Sequence, residues 1–180
     1  MLMNIPNFLT VLRIILVPII VWLLVNNHGK EASWFFVLTA LTDFLDGFIA
    51  KNCNLETELG RLLDPLSDKL LLLSCFITFA WIGIMPLWFV LVAVVRDIMI
   101  VGGAFLYKKT TKKLYISPPF YGKTNTALQM LLLVVIFFNN GYGIEINEYY
   151  LLLITAFSTI VSGAMYVAEW GKKGYKLIYQ

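Results

Sequence analysis

The sequence predicts an all-α fold, a polytopic membrane bundle of about six transmembrane helices, and three observations carry the prediction. Hydrophobic residues make up 59% of the chain and charged residues only 14%, with a mean hydropathy of +0.79. Soluble domains run nearer about 45–50% apolar and about 25% charged. The apolar residues fall into successive runs, each close to the ~20 residues a bilayer requires. Lys and Arg gather in alternate breaks between those runs, as the positive-inside rule demands of a chain that crosses repeatedly. A single transmembrane domain over residues 1–180 is expected.

Taken in order, Asn7 supplies a helix N-cap region, with Pro6 just outside the helix or in its first turn. The run Phe8–Val25 is the first span. It is too long for a cleavable signal, holds Arg13 and Pro18, and lacks a small-residue cleavage site. Arg13 has two readings: it snorkels to the interface, the simpler one, or it faces lipid phosphate. After the polar break Asn26–Glu31, Trp34–Ala50 is the second span and Leu62–Trp81 the third. Pro65 is expected in the third helix's first turns, where a missing N–H is tolerated best. A turn at Ile82–Met85 leads to the fourth span, Leu87–Tyr107. It carries Arg96 and Asp97 at depth, charges that require a partner there. Lys108, Lys109, Lys112 and Lys113 form a basic loop closed by Pro118 and Pro119. Phe120–Phe138 is the fifth span, Asn139–Asn147 a loop, and Tyr149–Trp170 the sixth span, followed by Lys172, Lys173 and Lys176.

The net charge of +3 is small, and its distribution says more. The loops after the second and fourth spans and the C-terminus hold nearly all the Lys and Arg, whereas the other loops hold only Lys30. Both termini and the segment Asp43–Asp68 are therefore expected on the cytoplasmic side, in a bacterial inner membrane. The Lys108–Lys113 cluster either attracts anionic lipid or only fixes topology. Cys53 and Cys75 are expected to be unpaired, and the lone His28, in an outer loop, argues against His-based catalysis. Nothing in the chain calls for a nucleic-acid partner.

The polar stretch DFLDGFIAKNCNLETELGRLLDPLSD interrupts this apolar background. An Asp in a bilayer costs roughly 2.5 to 3.5 kcal/mol on insertion scales, and here four stand as two pairs, Asp43/Asp46 and Asp64/Asp68. Asp43, Asp46, Gly47, Ala50 and Lys51 share one stripe of a helix, and Gly60, Asp64, Ser67 and Asp68 share a stripe of the next. With a short polar link at Asn52–Leu59, the helices are expected to be antiparallel neighbours with facing acidic stripes. Carboxylates so arranged suit a hard divalent cation that completes its shell with phosphate oxygens. Gly47, Ala50 and Gly60 leave room for a bulky ligand, and Lys51 offers a cation for its charge.

This stretch resembles the signature of the CDP-alcohol phosphotransferase family, the class I CDP-alcohol phosphatidyltransferases: D-x-x-D-G-x-x-A-R, about eight residues, then G-x-x-x-D-x-x-x-D. Asp43, Asp46, Gly47, Ala50, Gly60, Asp64 and Asp68 match, and Lys51 stands where the family has Arg. That change keeps the charge but loses the bidentate fork. Asn4-Ile-Pro-Asn7, Leu9, Thr10 and Arg13 are similar to the family's N-terminal pattern. The resemblance implies an enzyme of phospholipid biosynthesis working with Mg²⁺ or Mn²⁺ in the lipid bilayer. It takes CDP-diacylglycerol as donor and a glycerol-containing alcohol as acceptor, and releases CMP. It implies metal ligands at Asp43, Asp46, Asp64 and Asp68, the general base at Asp68, and a cytidine diphosphate site of Asp43, Gly47, Ala50, Lys51 and Gly60. Relatives in the family often pair as homodimers.

Two other classes fit less well. Membrane prenyltransferases also use two Asp motifs and Mg²⁺, but need more helices and hold their motifs far apart. A cation or proton transporter explains intramembrane carboxylates but not Gly47, Ala50 and Gly60. For the acceptor, VVRDIMIVGG and PPFYGKTNTALQ are similar to stretches of the CMP-forming cardiolipin synthases. Phosphatidylglycerophosphate synthases show a further Arg and Lys where Ala104 and Asn125 stand. Acceptor binding is thus expected at Arg96, Lys123 and Asn125, with phosphatidylglycerol the first choice and glycerol 3-phosphate the alternative.

Overall fold

The computed structural model describes the backbone of residues 5–53, 58–111, 120–144 and 146–178, and the side chains of residues 11–42, 67–103, 121–144 and 146–169. Among these residues there are six α-helices and no strand: α1 (Ile5–Val25), α2 (Gly29–Cys53), α3 (Glu58–Trp81), α4 (Leu87–Thr111), α5 (Phe120–Tyr142) and α6 (Tyr149–Ile178). The all-α expectation holds. Two helical stretches among the described residues, Tyr121–Tyr142 and Tyr149–Glu169, are long and apolar enough to cross a membrane.

The helices run beyond the apolar segments that announced them, because polar residues near a helix end leave its backbone bonding intact. What stops α1, α3 and α5 is left-handed backbone. Asn27 has φ 60°, Gly83 φ 80° and Gly143 φ 64°. At the end of α1, the N–H of His28 bonds Leu23 O (2.9 Å) and that of Asn27 bonds Leu24 O (3.2 Å). At the end of α3, Ile84 bonds Phe79 O and Gly83 bonds Ala80 O. Both are Schellman caps, whereas α5 closes more simply, with Gly143 N–H on Asn139 O. Four expected breaks therefore shorten: α2 starts at Gly29 rather than Trp34, the Asn52–Leu59 link loses Asn52 and Cys53 to α2 and Glu58 and Leu59 to α3, α4 takes in Lys108 and Lys109 of the expected basic loop, and α5 continues through Asn139 and Asn140. Since α3 starts at Glu58, Pro65 lies two turns inside it and not in its opening turn.

The chain divides into two compact units, Met1–Met85 with Leu133–Ile146, and Pro86–Leu132 with Asn147–Gln180, so α5 contributes to both. In the first unit α1 packs against α2 and α3. Phe137 of α5 stacks on Phe36 of α2 (centroids 4.4 Å apart) and meets the edge of Phe79 of α3 (4.9 Å). Beside them α2 and α5 touch backbone to backbone: a Cβ on Gly141 would lie 2.8 Å from Gly29 O. Ser33 Oγ lies 2.8 Å from Phe137 O across the same seam and 2.7 Å from Gly29 O, with one proton for the two carbonyls. This end of the unit is a packed aromatic core. Arg13, in the first half of α1, reaches Ser67 and Asp68 in the first half of α3. Those two helices thus run the same way, with α2 returning between them in sequence. In the second unit α4 packs against α6, and Tyr121 of α5 meets the edge of Tyr166 of α6 at 5.5 Å.

Candidate active site

The acidic motif occupies the end of α2 and the start of α3. Asp43, Asp46, Gly47, Ala50 and Lys51 lie in α2, and Gly60, Asp64, Ser67 and Asp68 in α3. The backbone is helical at all of them, so each group keeps the one-stripe register that the sequence predicts. The side chains at Asp43, Asp46, Ala50, Lys51 and Asp64, and the surroundings of Gly47 and Gly60, lie outside the described residues. The facing of the two stripes falls there too.

Asp68 is described, and its setting is informative. Arg13 Nη1 donates to Asp68 Oδ1 at 2.5 Å and to Ser67 Oγ at 3.0 Å. The Arg13 side chain is 1% exposed and that of Asp68 33%. The expectation for Arg13 is corrected: it neither snorkels to the interface nor faces lipid. A guanidinium at this depth requires counter-charge, and α3 supplies it. No spacing rule links positions 13 and 68. The one signal in the sequence is that an Arg within an apolar run must find a carboxylate.

Among the described residues no group of three or more His, Cys, Asp or Glu could hold a metal ion, three of the four aspartates lying outside that set. The donor chemistry nonetheless fits the expected cation. All four candidates are carboxylates, and hard divalent ions such as Mg²⁺ and Mn²⁺ take oxygen ligands.

The expected acceptor residues divide. Arg96 is buried in the second unit, with Nη1 donating to Asp97 Oδ1 at 2.7 Å and Nη2 to Ser162 Oγ at 2.9 Å. Its guanidinium lies 5.8 Å from the Tyr166 ring centroid. The charged pair at depth thus finds its partners next to itself and on α6. Asn125 is fully buried, with Thr159 Oγ1 2.9 Å from its Oδ1. Thr159 Oγ1 also lies 2.7 Å from Thr155 O. One hydroxyl proton cannot serve both oxygens. Turning the amide over lets Asn125 Nδ2, otherwise buried with no partner, donate to Thr159 while Thr159 donates to Thr155. Arg96 and Asn125 therefore meet one stripe of α6, at Ser162 and Thr159. Lys123 is exposed; two positions from Asn125 along a helix, it projects to another side of α5. Gln129, one turn beyond Asn125 and the last residue of the stretch PPFYGKTNTALQ, is a buried amide whose Nε2 has no hydrogen-bond partner.

A family model described as CDP-alcohol phosphatidyltransferase matches residues 3–164. The chain is 33% identical over 185 residues to a CDP-diacylglycerol–glycerol-3-phosphate 3-phosphatidyltransferase of Aquifex aeolicus, with 99% of each chain covered. It is 34% identical over 175 residues to the Rickettsia typhi protein of the same name, covering 91% of this chain and 94% of the relative. It is also 32% identical over 195 residues to the human cardiolipin synthase (CMP-forming), covering 97% of this chain and 64% of the human protein.

Proposed function

Because this chain belongs to the CDP-alcohol phosphatidyltransferase family, an enzyme family of phospholipid synthesis, we propose that it transfers the phosphatidyl group of CDP-diacylglycerol to a glycerol hydroxyl of phosphatidylglycerol, releasing CMP and making cardiolipin. Asp68 takes the hydroxyl proton as the new oxygen–phosphorus bond forms on the lipid-side phosphate and the bond to CMP breaks. Its anchored yet accessible carboxylate is the observation that carries this assignment. Asp43, Asp46, Asp64 and Asp68 would hold Mg²⁺ or Mn²⁺. When bound, the cation supplies counter-charge to the diphosphate and orients the leaving CMP. Gly47, Ala50 and Gly60 leave space for the cytidine diphosphate, with Lys51 beside its charge.

The choice of acceptor is supported by the charge balance of the polar seam in the second unit, which among the described residues carries no surplus of cations. Arg96 is balanced by Asp97, Glu169 adds a second carboxylate beside Tyr166, and the other polar groups are the amides of Asn125 and Gln129 and the hydroxyls of Thr159 and Ser162. Such a seam suits the uncharged glycerol end of a lipid better than a dianion, which needs a compact basic pocket. Exposed Lys123 would meet the single phosphodiester charge. Glycerol 3-phosphate is the second reading, favoured by the match to the Aquifex aeolicus protein along its whole length.

All six helices are proposed to span a bacterial inner membrane, with the aspartates and both termini cytoplasmic and a homodimer as the assembled form. Exposed aromatic residues support the bilayer. In the first unit Trp22, Trp34, Trp81 and Tyr142 are exposed near the helix ends remote from Asp68, and in the second unit Trp88, Tyr149 and Tyr150 are exposed at helix starts. Aromatic belts of this kind mark a headgroup boundary. The deciding experiment gives purified protein labelled CDP-diacylglycerol with either acceptor. Cardiolipin is expected. Phosphatidylglycerophosphate without cardiolipin would establish the second reading instead.

A further inference from the structure

We propose that Arg13 is a positioning residue for phosphatidyl transfer, holding the Asp68 carboxylate in the orientation from which it takes the acceptor's proton, with Ser67 fixing the guanidinium. The inference rests on the reading of Asp68 as general base. Arg13 Nη1 carries two hydrogens, and the geometry gives it two acceptors, Ser67 Oγ at 3.0 Å and Asp68 Oδ1 at 2.5 Å. Each Nη1 hydrogen has its own partner, so neither that end of the guanidinium nor the carboxylate can turn without breaking a bond. The pair joins α1 to α3 across 55 positions of sequence. Its burial is uneven: Arg13 is closed off, while a third of the Asp68 side chain remains accessible.

That asymmetry separates a positioning role from a merely structural one. A flexible Arg near the start of an apolar helix can carry its charge to the interface. Turning inward instead costs desolvation, which an apolar pair of similar volume would avoid. The inward turn secures one edge of an accessible carboxylate against a rigid neighbour. In the transfer step the acceptor's proton passes to Asp68 and the P–O bond to CMP breaks. Arg13 exchanges no proton, since its guanidinium stays charged. Misplacing a reacting group by about 1 Å costs on the order of 100-fold in rate, so the anchor matters at the chemical step more than in donor binding.

The test compares R13M, R13K, S67A, D68N and R13M/D68N in the full chain, reading kcat, KM, equilibrium binding of labelled CDP-diacylglycerol and the thermal midpoint. R13M is expected to lower kcat about 100-fold, with donor binding and KM within about threefold of the parent. R13K should recover part of that loss, since an ammonium can reach Asp68 but lacks the planar fork. S67A should lower kcat about fivefold, the worth of one hydrogen bond. R13M/D68N should be no slower than D68N, because Arg13 acts only through Asp68. If R13M fails to fold through its uncompensated carboxylate, R13K and S67A still read the kcat–KM split. The proposal is overturned if D68N is inactive while R13K and S67A keep parental kcat, or if the Arg13 variants lose stability and donor binding in step with kcat. Near-parental turnover by D68N would instead remove the underlying assignment of the base.

Discussion

Two buried Arg–Asp pairs stand in the two units of this protein, and they are built to opposite ends. Arg13 pairs with Asp68 from another helix and leaves the carboxylate a third exposed. Arg96 pairs with Asp97, its neighbour in sequence, and both side chains are at most 10% exposed. Each Arg takes a serine as second partner, Ser67 for one and Ser162 for the other. The chemistry of the contacts is the same, but what remains open differs. In the first pair a third of the acid's side chain stays accessible, as its proposed role as base requires. In the second the carboxylate is closed in beside its Arg, and the buried polar atoms left without a hydrogen bond among that unit's described residues are Arg96 Nε, Tyr121 OH and the amide nitrogens of Asn125 and Gln129. A buried ion pair is thus no indicator of function by itself; the exposure of its two partners is what separates a reactive carboxylate from an internal counter-ion.

The largest effect expected from this contrast is on the first pair's side. Exhaustive chelation of divalent cations should abolish turnover, with Mg²⁺ or Mn²⁺ restoring it, because four carboxylates cannot approach a diphosphate without counter-charge. Full activity after chelation would remove the cation from the proposal. Next, D68N should lower kcat by about 10³-fold while donor binding persists, general-base catalysis being worth about 10²–10⁴. D97N, chemically the same change, should keep kcat and instead leave Arg96 unbalanced. Its use of glycerol 3-phosphate relative to phosphatidylglycerol should then rise by about tenfold, a modest share of one unit charge at short range. Equal kcat losses in D68N and D97N would erase the distinction between the pairs.

A third expectation concerns stability. R96M leaves Asp97 buried beside an apolar side chain, and breaking a buried pair in this way costs about 3–5 kcal/mol. The thermal midpoint of the purified protein should fall well below the parent's. An unchanged midpoint would show that Asp97 is satisfied without Arg96, and the second pair would lose its structural role.

Much of this was legible in the sequence, and the parts that were not have physical reasons. Length and apolarity announced six helices, and six stand in that order among the described residues. Their ends did not follow the apolar runs, because polar residues such as Ser33, Asn139 and Asn140 sit within the helices, while left-handed backbone at Asn27, Gly83 and Gly143 is what stops α1, α3 and α5. The register of Asp64 and Asp68 followed from their spacing alone, since a helix fixes which positions share a stripe. The partner of Arg13 could not be read, because a contact across 55 positions leaves no periodic trace. The grouping of Lys123 with Asn125 rested on sequence proximity, which helical rotation undoes within two residues.

The smallest predicted effect tests the polar seam itself. Thr159 is fully buried, and its hydroxyl lies between Thr155 O at 2.7 Å and the Asn125 amide at 2.9 Å. Valine has nearly the same shape but no hydroxyl, so T159V removes the hydrogen bond with little change in packing. The cost should be about 1–2 kcal/mol, the worth of one buried hydrogen bond plus part of the penalty for the amide it abandons. A merely structural seam would show that loss as a lower thermal midpoint and nothing else. If Asn125 contacts the acceptor, the loosened amide should also raise the acceptor KM, by about three- to tenfold, with CDP-diacylglycerol binding unchanged. Parental KM in a destabilised T159V would leave the α5–α6 seam as packing and return the choice of acceptor to other residues.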